Sequence, residues 1–443
     1  MFDFDRDAEL LAEQCFDFIR NRLRKRPDPV TPPTAAELTR KVGITITPNG
    51  IGSTRALELF ADVLAPAAIP LDSPKHAALI PGAPTVAAIL FDACVSAASL
   101  VPEAWIEAAG AIHAENETLS WIASLAGLPK TSGGCFINGG TAGNLSALVT
   151  ARDAHANGRR RVACSSEAHS SIAKSLHIIG CDPLVVPADE HGRMTGAALR
   201  TALAVDGDTA TVFAVVASAG ATNTGAIDDL ASIADVADEC DLWFHVDAAY
   251  GGAALCAPSA RNRFNGIERV DSFIVDPHKW LFGPLDCCAL LYREPQRAFA
   301  VHRQSASYLD TMRVADGFDP TDYAIHLTRR ARGLPLWFSL ATHGTDAYRD
   351  AVEAVLDNVR AAAAIVRADP KLDLIMEPDL SVLLFRRRGW EEAEYLAWSA
   401  RLLASGTVFV LPSKWRGETV GRFVFLHPQT SVEMFQQAID ALV

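Results

Sequence analysis

The chain has 443 residues, 49% of them hydrophobic, with 40 basic against 53 acidic side chains and a formal net charge of −13. That much apolar material supplies a sizeable core and excludes a disordered, collagen-like or small disulfide-stapled protein. The acidic balance excludes a general electrostatic grip on nucleic-acid phosphates or anionic lipid, which leaves a small molecule or another protein as the partner. Nine cysteines are scattered singly except for the adjacent Cys287 and Cys288, with no CxxC. We therefore expect no metal site and a reducing, cytoplasmic compartment. The N-terminus opens acidic, and no apolar run reaches the roughly 18 residues of a membrane-spanning helix, so a soluble, unexported protein is expected.

Leu10, Leu11, Cys15, Phe16, Ile19 and Leu23 recur at helical spacing and predict a helix over residues 7–24. The basic run from Arg20 to Arg26 reads as its solvated C-terminal end. Proline-rich residues 27–33 form a connector, and residues 48–53 a second break. From about residue 77 to 336, apolar β-rich runs alternate with longer helical patterns, which predicts βαβ units around a mainly parallel sheet. Residues 212–216 and 244–246 are almost wholly apolar, as strands buried on both faces are. Functional residues then belong at the carboxyl ends of the strands. A helical pattern over residues 337–367, short strands in SVLLFRR and GRFVFLHP, and a closing helix in SVEMFQQAIDALV predict a smaller α+β unit.

The strongest chemical signal is Val275-Asp276-Pro277-His278-Lys279-Trp280, where an apolar strand delivers a lysine. A lone lysine after a strand is usually a solvated loop charge. Earlier in the chain, His245-Val246-Asp247-Ala248-Ala249-Tyr250 ends another buried strand in an aspartate, so an acid and an amine meet at one sheet edge. Taken alone, Asp247 is a helix cap or half of a buried ion pair. Together the two match pyridoxal phosphate chemistry, in which a lysine forms a Schiff base and a carboxylate keeps the pyridine nitrogen protonated. Asn138-Gly139-Gly140-Thr141-Ala142-Gly143-Asn144, just before a helical run, offers glycines and backbone donors for a phosphate. Thr222, after the strand TVFAVVAS, reads equally as a cofactor contact or a turn hydroxyl. His169, in SSEAHSS at another strand end, is placed to lie flat over a cofactor ring.

These pieces in this order resemble the group II pyridoxal-phosphate-dependent amino-acid decarboxylases, the family of the aromatic-L-amino-acid, histidine and glutamate decarboxylases, over roughly residues 60–440. The resemblance implies fold type I, α/β: a mainly parallel seven-stranded sheet in a large domain, a smaller C-terminal α+β domain and an N-terminal helical segment. It divides the chain into a dimerisation segment at 1–75, a cofactor-binding domain at 76–335 and a small domain at 336–443. It implies Lys279 as the Schiff-base lysine, Asp247 at the pyridine nitrogen, Ala249 beneath the ring and His169 above it. Thr141, Ala142, Gly143, Thr222 and His278 would surround the phosphate and ring oxygen. Tyr308, twenty-nine residues after Lys279, stands where the family carries a mobile-loop tyrosine that helps protonate the α-carbon. Arg329, Arg330 and Arg332 are similar to a family stretch of interdomain and dimer ion pairs, with Ala331 in place of an aromatic.

The departures concern the substrate. Leu79, Ile80 and Pro81 stand where the aromatic branch has an aromatic and hydroxyl-bearing cluster. Glu103 stands where it has a phenylalanine, in a segment that a neighbouring subunit contributes. A carboxylate there favours a substrate with a distal amine or hydroxyl, although an exposed helix-start carboxylate is an equal reading. Asp276 replaces an asparagine, and its identity is expected to be tolerated because the backbone turn positions Lys279. The expected protein is a homodimeric decarboxylase that converts an L-amino acid to its amine and carbon dioxide, with an aldehyde-forming oxidative decarboxylase or another fold-type-I aminotransferase or lyase as the alternative. A third possibility is a binding protein that has kept the fold and lost the activity, and the presence of Lys279 and Asp247 argues against it.

Overall fold

The computed structural model describes residues 2–80, 82–205, 211–307, 314 and 317–442. The first helix, α1 (Arg6–Arg24), starts where Asp5 accepts from the amides of Asp7 and Ala8, and it ends on Arg22 and Arg24. Its apolar stripe is only partly covered by the described residues: Phe18 packs edge-on against Phe60 and Ile19 is half-buried, but Leu10 is 50% and Phe16 59% exposed. Helices α2 (Ala35–Val42) and α3 (Ser53–Leu59) follow, flanking the break at residues 48–53. Next come α4 (Val86–Ala97) and α5 (Trp105–Leu125).

Seven strands then form one sheet: β1 (Gly133–Ile137), β2 (Arg161–Ser165), β3 (Asp182–Val186), β4 (Val212–Ser218), β5 (Trp243–Asp247), β6 (Ser272–Val275) and β7 (Cys288–Tyr292). Their order is β1-β7-β6-β5-β4-β2-β3. The run from β3 to β6 is parallel, and β7 lies antiparallel to both β6 and β1. Two reversals restore the original direction, so β1 points the same way as β5 and β6. Strands β4 to β7 are buried at every residue, which explains why their sequences run apolar without alternation. Helices α6 (Gly140–His155), α7 (Ser170–Ile179), α8 (Gly196–Val205) and α9 (Leu230–Glu239) link them. The turns after β1, β2, β4, β5 and β6 therefore all open at one edge of the sheet.

After α10 (Pro295–His302), the long helix α11 (Leu334–Ala368) leads to a second, antiparallel sheet of β8 (Leu372–Leu374), β9 (Val382–Arg387), β10 (Ser413–Trp415) and β11 (Glu418–Val424), in the order β10-β11-β9-β8. Helices α12 (Glu392–Ala404) and α13 (Val432–Asp440) pack with it. One apolar cluster runs from Phe244 and Val246 in the first sheet to Phe385, Phe423 and Phe435 in the second unit. Residues 75–77 also join this second layer: Lys75 O accepts from Phe409 N, Ala77 N donates to Phe409 O, and Ala77 O accepts from Val424 N. That anchoring carries Ala78 and Leu79 across to the open edge of the large sheet.

The arginine run is knitted into the core. Arg329 lies 2.8 Å from Glu115, both side chains 3% exposed, and also donates to Pro102 O and Phe136 O. Glu115 accepts from Gly333 N at the start of α11. Arg330 pairs with Asp92 and Arg332 with Asp286. Glu115→Ala strands the Arg329 charge in the core, and we expect it to destabilise the fold by about 3–5 kcal/mol. Denaturant unfolding measures this, and a loss below about 1 kcal/mol, the range of a surface pair, would refute the reading.

Candidate active site

The open edge of the large sheet encloses a cavity of about 280 Å³. At its floor β5 delivers Asp247, only 8% exposed. One carboxylate oxygen accepts from Asn144 Nδ2 at 2.8 Å and the other from Ala249 N at 3.1 Å. From the turn after β6, Lys279 reaches the same cavity, with its Nζ 3.0 Å from Asp276 Oδ2. The two motifs that supply these groups lock together: the ring of Tyr250 stacks on Trp280 at 5.5 Å, and its hydroxyl bonds Ser381 beside the second sheet.

The helix α6 begins against this cavity. Ala142 N and Gly143 N both donate to Gly139 O, each at 3.1 Å, whereas the amides of Gly140 and Thr141 precede the first helical bond and donate to no other described group. Gly140 and Thr141 line the cavity and Ala142 and Gly143 do not. The free donors thus sit one step earlier than the sequence suggested. Gly143 instead turns toward the sheet, where a Cβ would come within 2.9 Å of Cys288 Sγ and Ile274 Cγ2. Its glycine serves helix-on-sheet packing.

His169, the N-cap of α7, sits on the cavity wall with its Nδ1 accepting from Ser171 N. Thr222, Ala249 and His278 line the same space, and His278 Nδ1 is 2.6 Å from Cys287 O. A second cavity of about 610 Å³ shares His169, Thr222 and Lys279 and is walled by Leu79 and Ile80. Pro81 and Tyr308 lie outside the described residues. Glu103 lines neither cavity of its own subunit; its carbonyl accepts from Thr321.

Family comparison follows this geometry. The pyridoxal-dependent decarboxylase conserved domain matches residues 54–388. The chain belongs to the pyridoxal-dependent decarboxylase family. It is 33% identical over 371 residues to the L-2,4-diaminobutyrate decarboxylase of Rhizobium meliloti (strain 1021), covering 81% of this chain and 74% of that one. It is 31% identical over 325 residues to the aromatic-L-amino-acid decarboxylase of Bacillus atrophaeus, covering 71% and 68%. Among solved structures it superposes on the Oryza sativa TDC with PLP and tryptamine, with a TM-score of 0.91 and 25% identity over 100% of this chain and 98% of that one. It is a pyridoxal-phosphate-dependent amino-acid decarboxylase of fold type I.

The decarboxylase's own donors fit that cofactor. Two free amides at a helix N-terminus suit a phosphate, a buried carboxylate suits a pyridinium nitrogen, and a lysine stands at the cavity between them. The bound cofactor supplies an electron sink for the charge left when a carboxylate departs.

Asp276 and Arg422 also border the cavities, outside the roles that the sequence motifs point to. Asp276 is more than a turn residue: it is 2% exposed, with Oδ2 on Lys279 Nζ and 3.7 Å from His278 Nε2. Among the described residues its Oδ1 has no hydrogen-bond partner. Burial pulls the Lys279 ammonium down, but the carboxylates of Asp276 and Asp247 and the hydrogen bond to Asp276 outweigh it, and the net shift is upward. The amine attacks a carbonyl only as the free base, so this pairing holds back cofactor capture at neutral pH. In Asp276→Asn that hold is weakened, with Asp247 alone remaining to raise the ammonium. The visible absorbance that follows mixing of cofactor-free protein with pyridoxal phosphate is expected to rise faster at neutral pH, with its pH profile moved toward acid. An unchanged profile would show that Asp276 does not hold the ammonium.

Arg422, on β11, is the other. It is 6% exposed on the wall of the second cavity, and its bonds go to the backbone carbonyls of Ala78, Thr222 and Asn223. Burial lowers it to about 10. No sequence pattern separates it from the other arginines of the C-terminal unit.

Proposed function

We propose that Lys279 carries the cofactor, Asp247 holds the proton on its ring nitrogen, and His169 covers the face where the substrate carboxylate is lost. The observation that carries this is one cavity lined by Asp247, Lys279, His169 and the free amides of Gly140 and Thr141. Arg422 gives the adjoining cavity a buried cation whose acceptors are neutral carbonyls, which suits an amino acid entering as a carboxylate. Tyr308 is assigned the proton delivery to the α-carbon on family resemblance.

The protein works as a homodimer in this reading, supported by the exposed apolar residues Leu10 and Phe16 of α1 and Val86 and Leu90 of α4. Glu103 of the partner subunit then completes a side-chain pocket whose other wall is Leu79 and Ile80. An aliphatic wall with one carboxylate suits an L-amino acid with a distal amine, and one curated relative is named for L-2,4-diaminobutyrate. Nine free cysteines support a cytoplasmic setting.

The test incubates the cofactor-loaded protein with each L-amino acid, including 2,4-diaminobutyrate, and records carbon dioxide, amine, aldehyde and peroxide. Amine and carbon dioxide from a substrate with a distal amine, with Glu103→Gln altering the ranking, is the expected result. An unaltered ranking removes Glu103 from the pocket. Aldehyde with peroxide would replace simple decarboxylation by the oxidative reaction.

A further inference from the structure

Beneath the cavity runs a chain of buried polar groups that the proposed roles leave unused. Trp243 Nε1 donates to Ser272 Oγ at 2.9 Å, and Ser272 Oγ lies 2.8 Å from His245 Nδ1. His245 Nε2 lies 2.9 Å from Asn144 Oδ1, and the Asn144 amide nitrogen reaches both Asp247 Oδ2 at 2.8 Å and Ser171 Oγ at 3.1 Å. Ser171 Oγ lies 2.8 Å from His169 Nδ1. Trp243, Ser272, His245, Asn144 and Ser171 are each at most 4% exposed, so no solvent proton rearranges these bonds cheaply.

The direction of every bond follows from chemistry. The indole N–H only donates, so Ser272 accepts it and keeps its own hydrogen for His245 Nδ1, which accepts because the ring's proton is taken up at Nε2. Burial lowers His245 to about 4, so the ring is neutral and its one proton is on Nε2, given to Asn144 Oδ1. An ionised Asp247 only accepts, which independently fixes the Asn144 amide with its nitrogen toward Asp247 and its second hydrogen toward Ser171. Ser171 therefore donates its hydroxyl to His169 Nδ1. The backbone agrees from the other end, because Ser171 N also donates to that same Nδ1 at 3.2 Å, and a nitrogen accepting two hydrogens carries none.

We infer that Asn144, Ser171 and His245 are positioning residues: they form a one-way hydrogen-bond relay that holds the Asp247 carboxylate and fixes His169 in the tautomer whose Nε2–H faces the cavity. Asn144 is the hub, joining the carboxylate proposed for the ring nitrogen to the imidazole proposed to cover the ring. The inference rests on the proposed placement of His169, and it adds how the side chain is set for its task. A donor at Nε2 meets a substrate carboxylate with a hydrogen, whereas the other tautomer meets it with a lone pair.

The experiment uses holoenzyme labelled with 15N-histidine, with His169→Phe identifying the His169 signals. The expected wild-type spectrum shows a single His169 tautomer protonated at Nε2. Ser171→Ala removes the 2.8 Å hydroxyl and leaves Nδ1 only the longer backbone donor at 3.2 Å, so it is expected to give mixed tautomers, a kcat lower by about tenfold and a KM for cofactor within about twofold, since Asn144 still holds Asp247. Ser171→Thr, which keeps the hydroxyl, is expected to restore both the single tautomer and kcat. Asn144→Ala is expected to mix the tautomers and also to weaken cofactor binding about tenfold in an absorbance titration. A single unchanged tautomer in Ser171→Ala would overturn the relay, even where His169→Phe abolishes turnover and so upholds the proposed site. Mixed tautomers in Ser171→Ala support the relay, even where His169→Phe turns over normally and so removes His169 from the site.

Discussion

Lys279→Ala is expected to lower decarboxylation by about 10⁴-fold or more, close to 5.5 kcal/mol of transition-state stabilisation. The lysine is the amine of the cavity: its Nζ stands 3.0 Å from Asp276, in the space that also holds Asp247 and the amides of Gly140 and Thr141. Without it, the cofactor is held by phosphate and ring contacts alone and exchange with the substrate amine has no partner. Borohydride reduction followed by peptide mass analysis provides a second readout. The wild-type protein is expected to retain the cofactor on the peptide containing Lys279, and the variant on none. Cofactor trapped on another lysine, or turnover within tenfold of wild type, would remove Lys279 from its assigned role.

The second large effect is expected at Asp247. Asp247→Asn keeps the volume but removes the charge, and it turns one acceptor into a donor that faces Asn144 Nδ2 or Ala249 N, both already donors. A buried donor set against a donor costs about 1–3 kcal/mol. In the proposed role the lost charge adds to this, because a neutral partner would no longer favour the protonated ring that accepts electrons. We expect kcat to fall by about 10³-fold, roughly 4 kcal/mol, and cofactor binding to weaken in an absorbance titration. A variant that binds cofactor weakly yet turns over normally at saturation would confine Asp247 to binding.

Both residues were legible because each is delivered by a buried strand: Asp247 ends β5, and Lys279 lies in the turn just after β6. An apolar run closing on a charged residue is a local pattern, and HVDAAY and DPHKW carry it without reference to the rest of the chain. The same holds for His169, which follows β2 and caps α7. The parallel sheet was legible for a related reason: strands buried on both faces cannot alternate, and β4 and β5 do not.

What stayed hidden depends on rotation and distance. Asn144 lies inside a helical run that reads as ordinary core, and only the turn of α6 about its axis puts its amide between Asp247, His245 and Ser171. The same rotation gives the free amides to Gly140 and Thr141 and turns Gly143 toward Cys288 and Ile274. Arg422 reaches Ala78 and Thr222 across hundreds of residues of sequence, through the pairing of β11 with β9 and the anchoring of residues 75–77 to Phe409 and Val424. Asp276 has the look of a turn residue until the fold of that turn brings it against the lysine three positions on.

The sequence by itself determined which strands end in reactive groups, because strand burial and strand ends are written in local hydrophobicity. Only the tertiary structure decided which neighbours those groups have, because helix rotation, strand order and the seating of the second sheet are set by packing between distant segments, and no local pattern encodes them.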